Sequence, residues 1–275
     1  MKSILSVQSN VLIGKVGNVI SRDVYAQFPL ECTFIDTVYF SGVASQKKFG
    51  ITFDNNDWLK FIEKTLLLLR NKLDVIHTGY FGSAKQMQAM ENGLQILKRP
   101  LVVVDPVIGD NEKIYVKDCV VQQYQSFLQY ATVITPNFFE LEILCGQKIV
   151  DLSHLFNCCR KLINSFDKLQ VVIVTSVQFA NLQNNVVIVN KDQAFEVKKK
   201  FITDAKFGGC GDAFTSLLCC YYCQNPDIIR AAYQAINHLY TVLEICIENN
   251  CSYLNIESFP QSTSNAIREK GNKHV

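Results

Sequence analysis

Short runs of apolar, β-branched residues alternate along this chain with longer stretches in which apolar side chains recur every three or four positions. The continuous runs mark strands buried on both faces, and the 3.6-residue recurrence marks helices laid over them. This pattern predicts strands at residues 4–8, 33–40, 75–78, 101–104, 132–134, 171–175, 186–189 and 194–197. It predicts helices at residues 57–71, 83–98, 117–129, 138–144, 153–166, 212–223 and 228–249. In the first of these, Leu59, Ile62, Leu66 and Leu69 share one stripe, as on a helix that covers a sheet. Residues 212–223 are mostly apolar or small and contain no proline, so that helix belongs inside. Alternation of strand and helix predicts an α/β fold with a mainly parallel sheet covered by helices. Asn190-Lys191-Asp192-Gln193 is too short for a helical crossover, which makes 186–189 and 194–197 an antiparallel hairpin.

Composition narrows the picture. The 275 residues are 48% hydrophobic, enough to bury the core of one large α/β domain or two small ones. Net charge is +2 and the basic residues are dispersed apart from Lys198-Lys199-Lys200, so no footprint for nucleic acid or an anionic membrane is present. That lysine run reads as a solvated edge or loop, with a nucleotide's phosphates as its other use. No apolar run reaches about 18 residues and no signal-peptide layout precedes the first strand, so a soluble cytoplasmic protein is expected. The eleven cysteines are expected to be reduced, because a core of this size needs no staples. Cys220 and Cys223 have CxxC spacing but lie in an apolar helix without a second pair, and read as packing. His77, His154, His238 and His274 show no ligand spacing.

Candidate chemistry gathers at strand ends. Gly208-Gly209-Cys210-Gly211-Asp212-Ala213-Phe214 opens the buried helix. Glycines at a helix start let backbone N–H groups converge on an anion, and the helix dipole adds positive potential there. Asp212 in that turn suits two roles: taking a proton from a substrate hydroxyl while the amides hold a phosphoryl group, or capping the helix. Ligands of open α/β sheets bind beyond the carboxyl ends of the strands. At such ends lie Gln8-Ser9-Asn10, Asp105-Pro106-Val107-Ile108-Gly109-Asp110, Thr135-Pro136-Asn137-Phe138-Phe139-Glu140 and Thr175-Ser176. Together they offer hard oxygen ligands without His or Cys, a set suited to Mg²⁺ carried by phosphates.

With Ser6-Val7-Gln8-Ser9, Val16-Gly17-Asn18, Thr37-Val38-Tyr39-Phe40-Ser41 and Thr78-Gly79-Tyr80, these blocks resemble, in order and over nearly the whole chain, the pyridoxal kinases of the ribokinase-like superfamily. The resemblance implies a three-layer α/β/α sandwich with some antiparallel edge strands and a single domain over residues 1–259; the tail at 260–275 is polar and expected to be frayed. It implies ATP-dependent phosphorylation of the 5′-hydroxyl of pyridoxal, pyridoxine or pyridoxamine, with Mg²⁺, in a homodimer; monovalent-cation dependence stays open. Carried over by position, Asp212 is the base, and Gly209, Cys210 and Gly211 form the anion hole. Asp105, Thr135, Asn137, Glu140, Thr175 and Ser176 meet ATP, and Asp110 and Glu140 handle the metal. Ser9, Ala44 and Tyr80 line the vitamin pocket, with Val7, Val16 and Phe40 as its walls or as plain core. A covering segment is expected at residues 111–116.

Departures from the family pattern concentrate on the vitamin side. Asn10 stands where His is usual, Tyr39 where Gln is common, and Gly42-Val43-Ala44 where Asn-His-Thr follows the Phe-Ser pair, so Ala44 lacks a ring-contacting hydroxyl. Two other readings stand beside the first. One is a hydroxymethylpyrimidine or other small-alcohol kinase of the same superfamily, although some enzymes accepting both rings carry Cys at the place of Asp212. The other is a non-catalytic protein that binds nucleotide or pyridoxal phosphate, against which the retained Asp212 argues.

Overall fold

A computed structural model describes residues 1–43, 49–98, 100–179, 182–198 and 207–256. Ala44, Lys199, Lys200, His274 and the tail at 260–275 lie outside the described residues. The chain runs β1 (Lys2–Val11), α1 (Asn18–Tyr25), β2 (Leu30–Phe40), β3 (Gly50–Thr52), α2 (Asn56–Leu69), β4 (Val75–Thr78), α3 (Ala84–Leu94) and β5 (Leu101–Val104). It continues with β6 (Gly109–Asp110), β7 (Lys113–Ile114), α4 (Asp118–Phe127), β8 (Val133–Ile134), α5 (Phe138–Cys145) and α6 (Leu152–Ser165). Then come β9 (Val171–Phe179), β10 (Leu182–Val189), β11 (Ala194–Val197), α7 (Cys210–Gln224) and α8 (Ile228–Glu248).

Nine strands form one sheet in the order β11-β10-β9-β8-β5-β4-β1-β2-β3. The six from β9 to β2 pair in parallel, and β10, β11 and β3 add antiparallel edges. Successive strand residues point to opposite faces. Thus Leu5, Ile76, Val104 and Ile134 pack with α2 to α6, while Ile4, Val75, Val103 and Ile173 pack with α1, α7 and α8. Each such fully buried aliphatic contributes about 1.5–3 kcal/mol by leaving water. Two cores, one per face, make the α/β/α sandwich that the family resemblance implies. Helix α2 starts where Asn55 Oδ1 accepts from the Trp58 N–H at 2.9 Å, and buries Ile62 and Leu66 from the expected stripe, with Leu59 and Leu69 at its margins.

Several expectations are corrected. The segment expected to cover the site, residues 111–116, is built on a hairpin: β6 and β7 pair, and its tip residues, Asn111 and Glu112, both lie in the left-handed region, at φ 49° and 61°. A two-residue turn of type I′ requires positive φ at both positions, which Asn tolerates well. Strand β9 does not stop at Thr175 but continues to Phe179 through Ser176, itself at φ 54°, to pair with β10. Helix α3 ends at Leu94, and α4 tightens into a 3₁₀ turn at Leu128–Tyr130. Helix α1 was unannounced, because its inward face mixes Ile20 and Val24 with the buried polar residues Asn18 and Ser21. All eleven cysteines are free, and Cys219, Cys220 and Cys223 are buried in the α7–α8 core.

Candidate active site

The carboxyl ends of the parallel strands and the start of α7 converge on one place. Gly209 caps α7 in the left-handed region at φ 87°, and a Cβ there would come 2.1 Å from the Lys15 carbonyl oxygen. Only glycine permits that approach. Lys15 belongs to the turn between β1 and α1, whose next corner is Gly17 at φ 59°. A Cβ on Gly17 would lie 2.2 Å from the Ser9 carbonyl oxygen. Gly209 therefore lets the β1–α1 turn press onto the first turn of α7, Gly17 folds that turn back against β1, and the Gly17 N–H faces the Asp212 carboxylate and lowers its pKa.

Asp212 is partly buried in that first turn. Burial pushes its pKa up to about 6, with the Gly17 N–H pulling the other way. Such a group is ionised at neutral pH yet close enough to it to exchange a proton, as a general base must. Asp105, just past β5, is buried; its Oδ2 lies 3.7 Å from where a Gly211 Cβ would be, which places it against the same helix start. Burial and the charges of Glu140 and Asp212 raise the Asp105 carboxyl well above the ordinary range.

Glu140 is fixed in every direction. Its Oε1 accepts from the Ile108 N–H at 2.9 Å and the Gly109 N–H at 3.3 Å, and its Oε2 from the Asn137 N–H at 2.9 Å. Asn137 Oδ1 returns a bond from the Glu140 N–H at 2.9 Å, closing a capping box at the head of α5. Asn137 Nδ2 donates to the Gly109 carbonyl at 2.8 Å, tying the β6–β7 hairpin to α5. Burial still raises the Glu140 carboxyl against those three N–H groups. Asp105 and Glu140 thus form a pair of interior carboxylates, and neither has an ion-pair partner among the described residues.

Two buried hydroxyls without a partner, Thr78 Oγ1 at the end of β4 and Tyr124 OH on α4, belong to the same region. Tyr124 feels the charges of Asp105 and Glu140. An uncompensated acidic pair among hard oxygen donors fits a divalent cation such as Mg²⁺. Among the described residues no group of three His, Cys, Asp or Glu stands close enough to hold a metal ion.

The remaining predicted residues divide. Thr175 stands beside α5, its N–H bonded to the Pro136 carbonyl at 2.9 Å, and Ser176 is exposed next to it. Thr135 is turned inward instead, its Oγ1 at 3.0 Å from Thr215 Oγ1 on α7. Asp110 is exposed on the hairpin and accepts from the N–H and Nδ2 of Asn111, both at 2.8 Å, within electrostatic reach of Glu140. Ser9 is buried at the end of β1, and the half-buried Tyr80 meets Phe40 edge to face, with ring centres 5.4 Å apart. Ala44 lies outside the described residues. A groove of about 460 Å³ between α2 and α3, lined by Glu63, Lys64, Leu67, Asn92, Gly93 and Ile96, carries none of this chemistry.

Three groups escaped the sequence reading: Gly17 as a donor to Asp212, Tyr124 under the carboxylates, and Asp36, which gathers four donors beside the β1–α1 turn. Tyr124 had one legible signal, a polar handle on the apolar stripe Val120, Tyr124, Phe127.

The family described as phosphomethylpyrimidine kinase matches residues 53–255. The pyridoxine/pyridoxal/pyridoxamine kinase of Bordetella pertussis is 29% identical over 263 residues, covering 91% of this chain and 92% of that protein. Human pyridoxal kinase is 27% identical over 271 residues, covering 89% and 85% respectively. Among solved structures, Plasmodium falciparum PdxK with the ligands AMP-PNP and PL superposes with a TM-score of 0.79, at 24% identity, over 93% of this chain and 92% of that one. With the strand-end cleft, the chain belongs to the phosphomethylpyrimidine kinase family, on the ribokinase-like fold that its pyridoxal kinase relatives share.

Proposed function

We propose that this chain is an ATP-dependent kinase that phosphorylates the 5′-hydroxyl of pyridoxal, and of pyridoxine and pyridoxamine, in vitamin B6 salvage. One observation carries the reading: a carboxylate tuned to about pH 6 stands in the glycine-rich first turn of a buried helix, beside a pair of interior carboxylates. A non-catalytic binding protein has no use for that base. The relatives' names, and the ATP analogue and pyridoxal ligand of the P. falciparum protein, support nucleotide and vitamer as the two substrates.

In the proposed mechanism Asp212 takes the proton of the substrate hydroxyl as its oxygen attacks the γ-phosphorus in line, and ADP leaves. The N–H groups of Gly209, Cys210 and Gly211 gather charge developing on the transferring phosphoryl oxygens. Asp105, Thr135, Asn137, Glu140, Thr175 and Ser176 hold the nucleotide; for Thr135 and Asn137, whose side chains are engaged within the protein, the part is to shape the floor. Glu140 and Asp110, with Asp105 nearby, would hold Mg²⁺, whose charge would offset that of the ATP phosphates. Ser9 and Tyr80 line the vitamin pocket. The protein is expected to act in the cytoplasm as a homodimer; among the described residues no helix is long and apolar enough to cross a membrane.

The family's description favours one second reading, phosphorylation of hydroxymethylpyrimidine, another flat ring bearing a hydroxymethyl group. Release of ADP from Mg-ATP in parallel with pyridoxal, pyridoxine, pyridoxamine, hydroxymethylpyrimidine and no acceptor separates them. Fastest turnover with a B6 vitamer, lost in Asp212→Ala, is expected. Fastest turnover with the pyrimidine overturns the vitamer, and no stimulation by any acceptor overturns the kinase reading.

A further inference from the structure

Four side-chain donors converge on Asp36, near the carboxyl end of β2. Its Oδ1 accepts from Asn18 Nδ2 at 2.6 Å and from the Arg22 guanidinium at 3.4 Å; its Oδ2 accepts from Asn10 Nδ2 at 3.0 Å and from the Tyr39 hydroxyl at 3.1 Å. Asn18 is itself clamped. Its Oδ1 accepts from Ser6 Oγ at 2.7 Å, and its Nδ2 also donates to the Ile35 carbonyl at 3.0 Å. Asn18 is wholly buried, and the residue before it is Gly17, whose N–H faces the Asp212 carboxylate in a turn that packs through the Lys15 carbonyl onto Gly209 at the head of α7.

We propose that Asp36 and Asn18 are positioning residues for the phosphoryl transfer: through them one carboxylate holds both ends of the β1–α1 turn and so fixes the Gly17 N–H against Asp212. Asn10 follows the pocket residue Ser9, so one end of the turn leads into the vitamin pocket and the other holds the base. Asn10 and Tyr39, two departures from the family pattern, thereby serve as anchors for the base. The charge of Asp36 matters because a carboxylate accepts on both oxygens, whereas an amide has one acceptor and would strand at least one of four donors. The proposal rests on the reading of Asp212 as the base.

The test is a double-mutant cycle joined to hydrogen exchange at one amide. In the otherwise native chain, Asp36→Asn is expected to lower kcat with pyridoxal about tenfold and leave the KM for Mg-ATP unmoved, since small displacements of a catalytic group are costly. In an Asp212→Ala chain the same change is expected to alter the remaining rate by less than about twofold, because the two act as one unit. Equal losses in both backgrounds, or no loss in the native one, overturn the proposal. The Gly17 amide is expected to exchange at least about tenfold faster in Asp36→Asn and in Asp212→Ala; native protection in folded Asp36→Asn overturns the proposal without reference to activity. Asn18→Ala, a more severe change, should show the same amide loss. If Asp212→Ala retains near-native turnover the base reading falls first, an outcome distinct from additive losses with a dead Asp212→Ala.

Discussion

Replacing Asp212 with Asn keeps the side chain's shape and an oxygen for the Gly17 N–H, and removes the charge and the site that would take a proton. The structure predicts opposite effects on rate and on stability. Burial lifts the carboxyl from its ordinary 3.8 to about 6, a difference worth about 3 kcal/mol against the charged form. Asp212 keeps some contact with solvent, which screens the penalty to about 1–2 kcal/mol. The penalty is in full force above about pH 6, where the folded chain carries the charge, and is absent below the unfolded carboxyl's value of about 4, where both states are protonated. Asn carries no such penalty at any pH, and its neutrality also relieves the neighbouring Asp105, which the Asp212 charge raises. At pH 8 the variant should therefore melt about 2–5 °C above the native protein, with the gain shrinking as the pH falls from 6 towards 4. Its kcat with pyridoxal should fall about 10²- to 10⁴-fold, the usual worth of a positioned base. Calorimetric scans at several pH values and an ADP-release assay read both. A variant that melts below the native protein at pH 8, or a gain that does not change with pH, refutes the burial argument; turnover within tenfold of native refutes the base.

Four further outcomes follow from the same geometry. The native kcat should fall as the pH drops through about 6, since protonated Asp212 cannot accept the substrate's proton; a flat profile between pH 5 and 8 would place the proton elsewhere. Asp105→Ala should raise the Mg²⁺ concentration needed for half-maximal rate about tenfold or more, while an unchanged Mg²⁺ titration would remove Asp105 from the metal's surroundings. Gly209→Ala puts a methyl 2.1 Å from the Lys15 carbonyl oxygen at φ 87°, and is expected to cost about 1–3 kcal/mol in urea unfolding and most of the turnover; a native-like curve would show that the turn can yield. Tyr124→Phe removes a buried hydroxyl with no partner and should leave stability unchanged or raised by up to about 1 kcal/mol, so a loss of more than that would mean the hydroxyl is bonded in solution.

What could be read from the chain was what depends on local pattern. Strands β4, β5 and β11 match their predicted bounds because each is a short, mainly apolar run enclosed by polar turn residues. The glycine-rich start of α7 and the box at Asn137 and Glu140 are equally local, since a few consecutive residues satisfy each other's backbone groups. Helix α1 escaped because Asn18 and Ser21 are polar yet buried, and strand β3 because all three of its residues are exposed on an edge. The β6–β7 turn and the left-handed Ser176 depend on backbone angles that residue type only weakly signals.

The groups that set the site's behaviour were illegible for a different reason: their partners are remote. Gly17 meets Asp212 across most of the chain, Ser216 Oγ reaches Ser21 Oγ at 2.9 Å, and the same polar seam takes in Gln8, whose Nε2 donates to Ser6 and Ser21 at 2.8 and 2.9 Å. His77 continues it through Tyr25, 2.8 Å from Nδ1, and burial drops the His77 pKa to about 3, so it serves the seam as a neutral ring. Each member alone reads as an ordinary polar residue near a strand or helix end. Together they bring β1, β4, α1 and α7 to one setting, because a buried polar group that loses its partner costs more than an apolar contact that slides. Binding a phosphate needs only the glycines and a helix start, features a sequence displays. In the proposed reaction, holding Asp212 to within a fraction of an ångström of a substrate hydroxyl relies on this seam, and the seam exists only once the chain has folded.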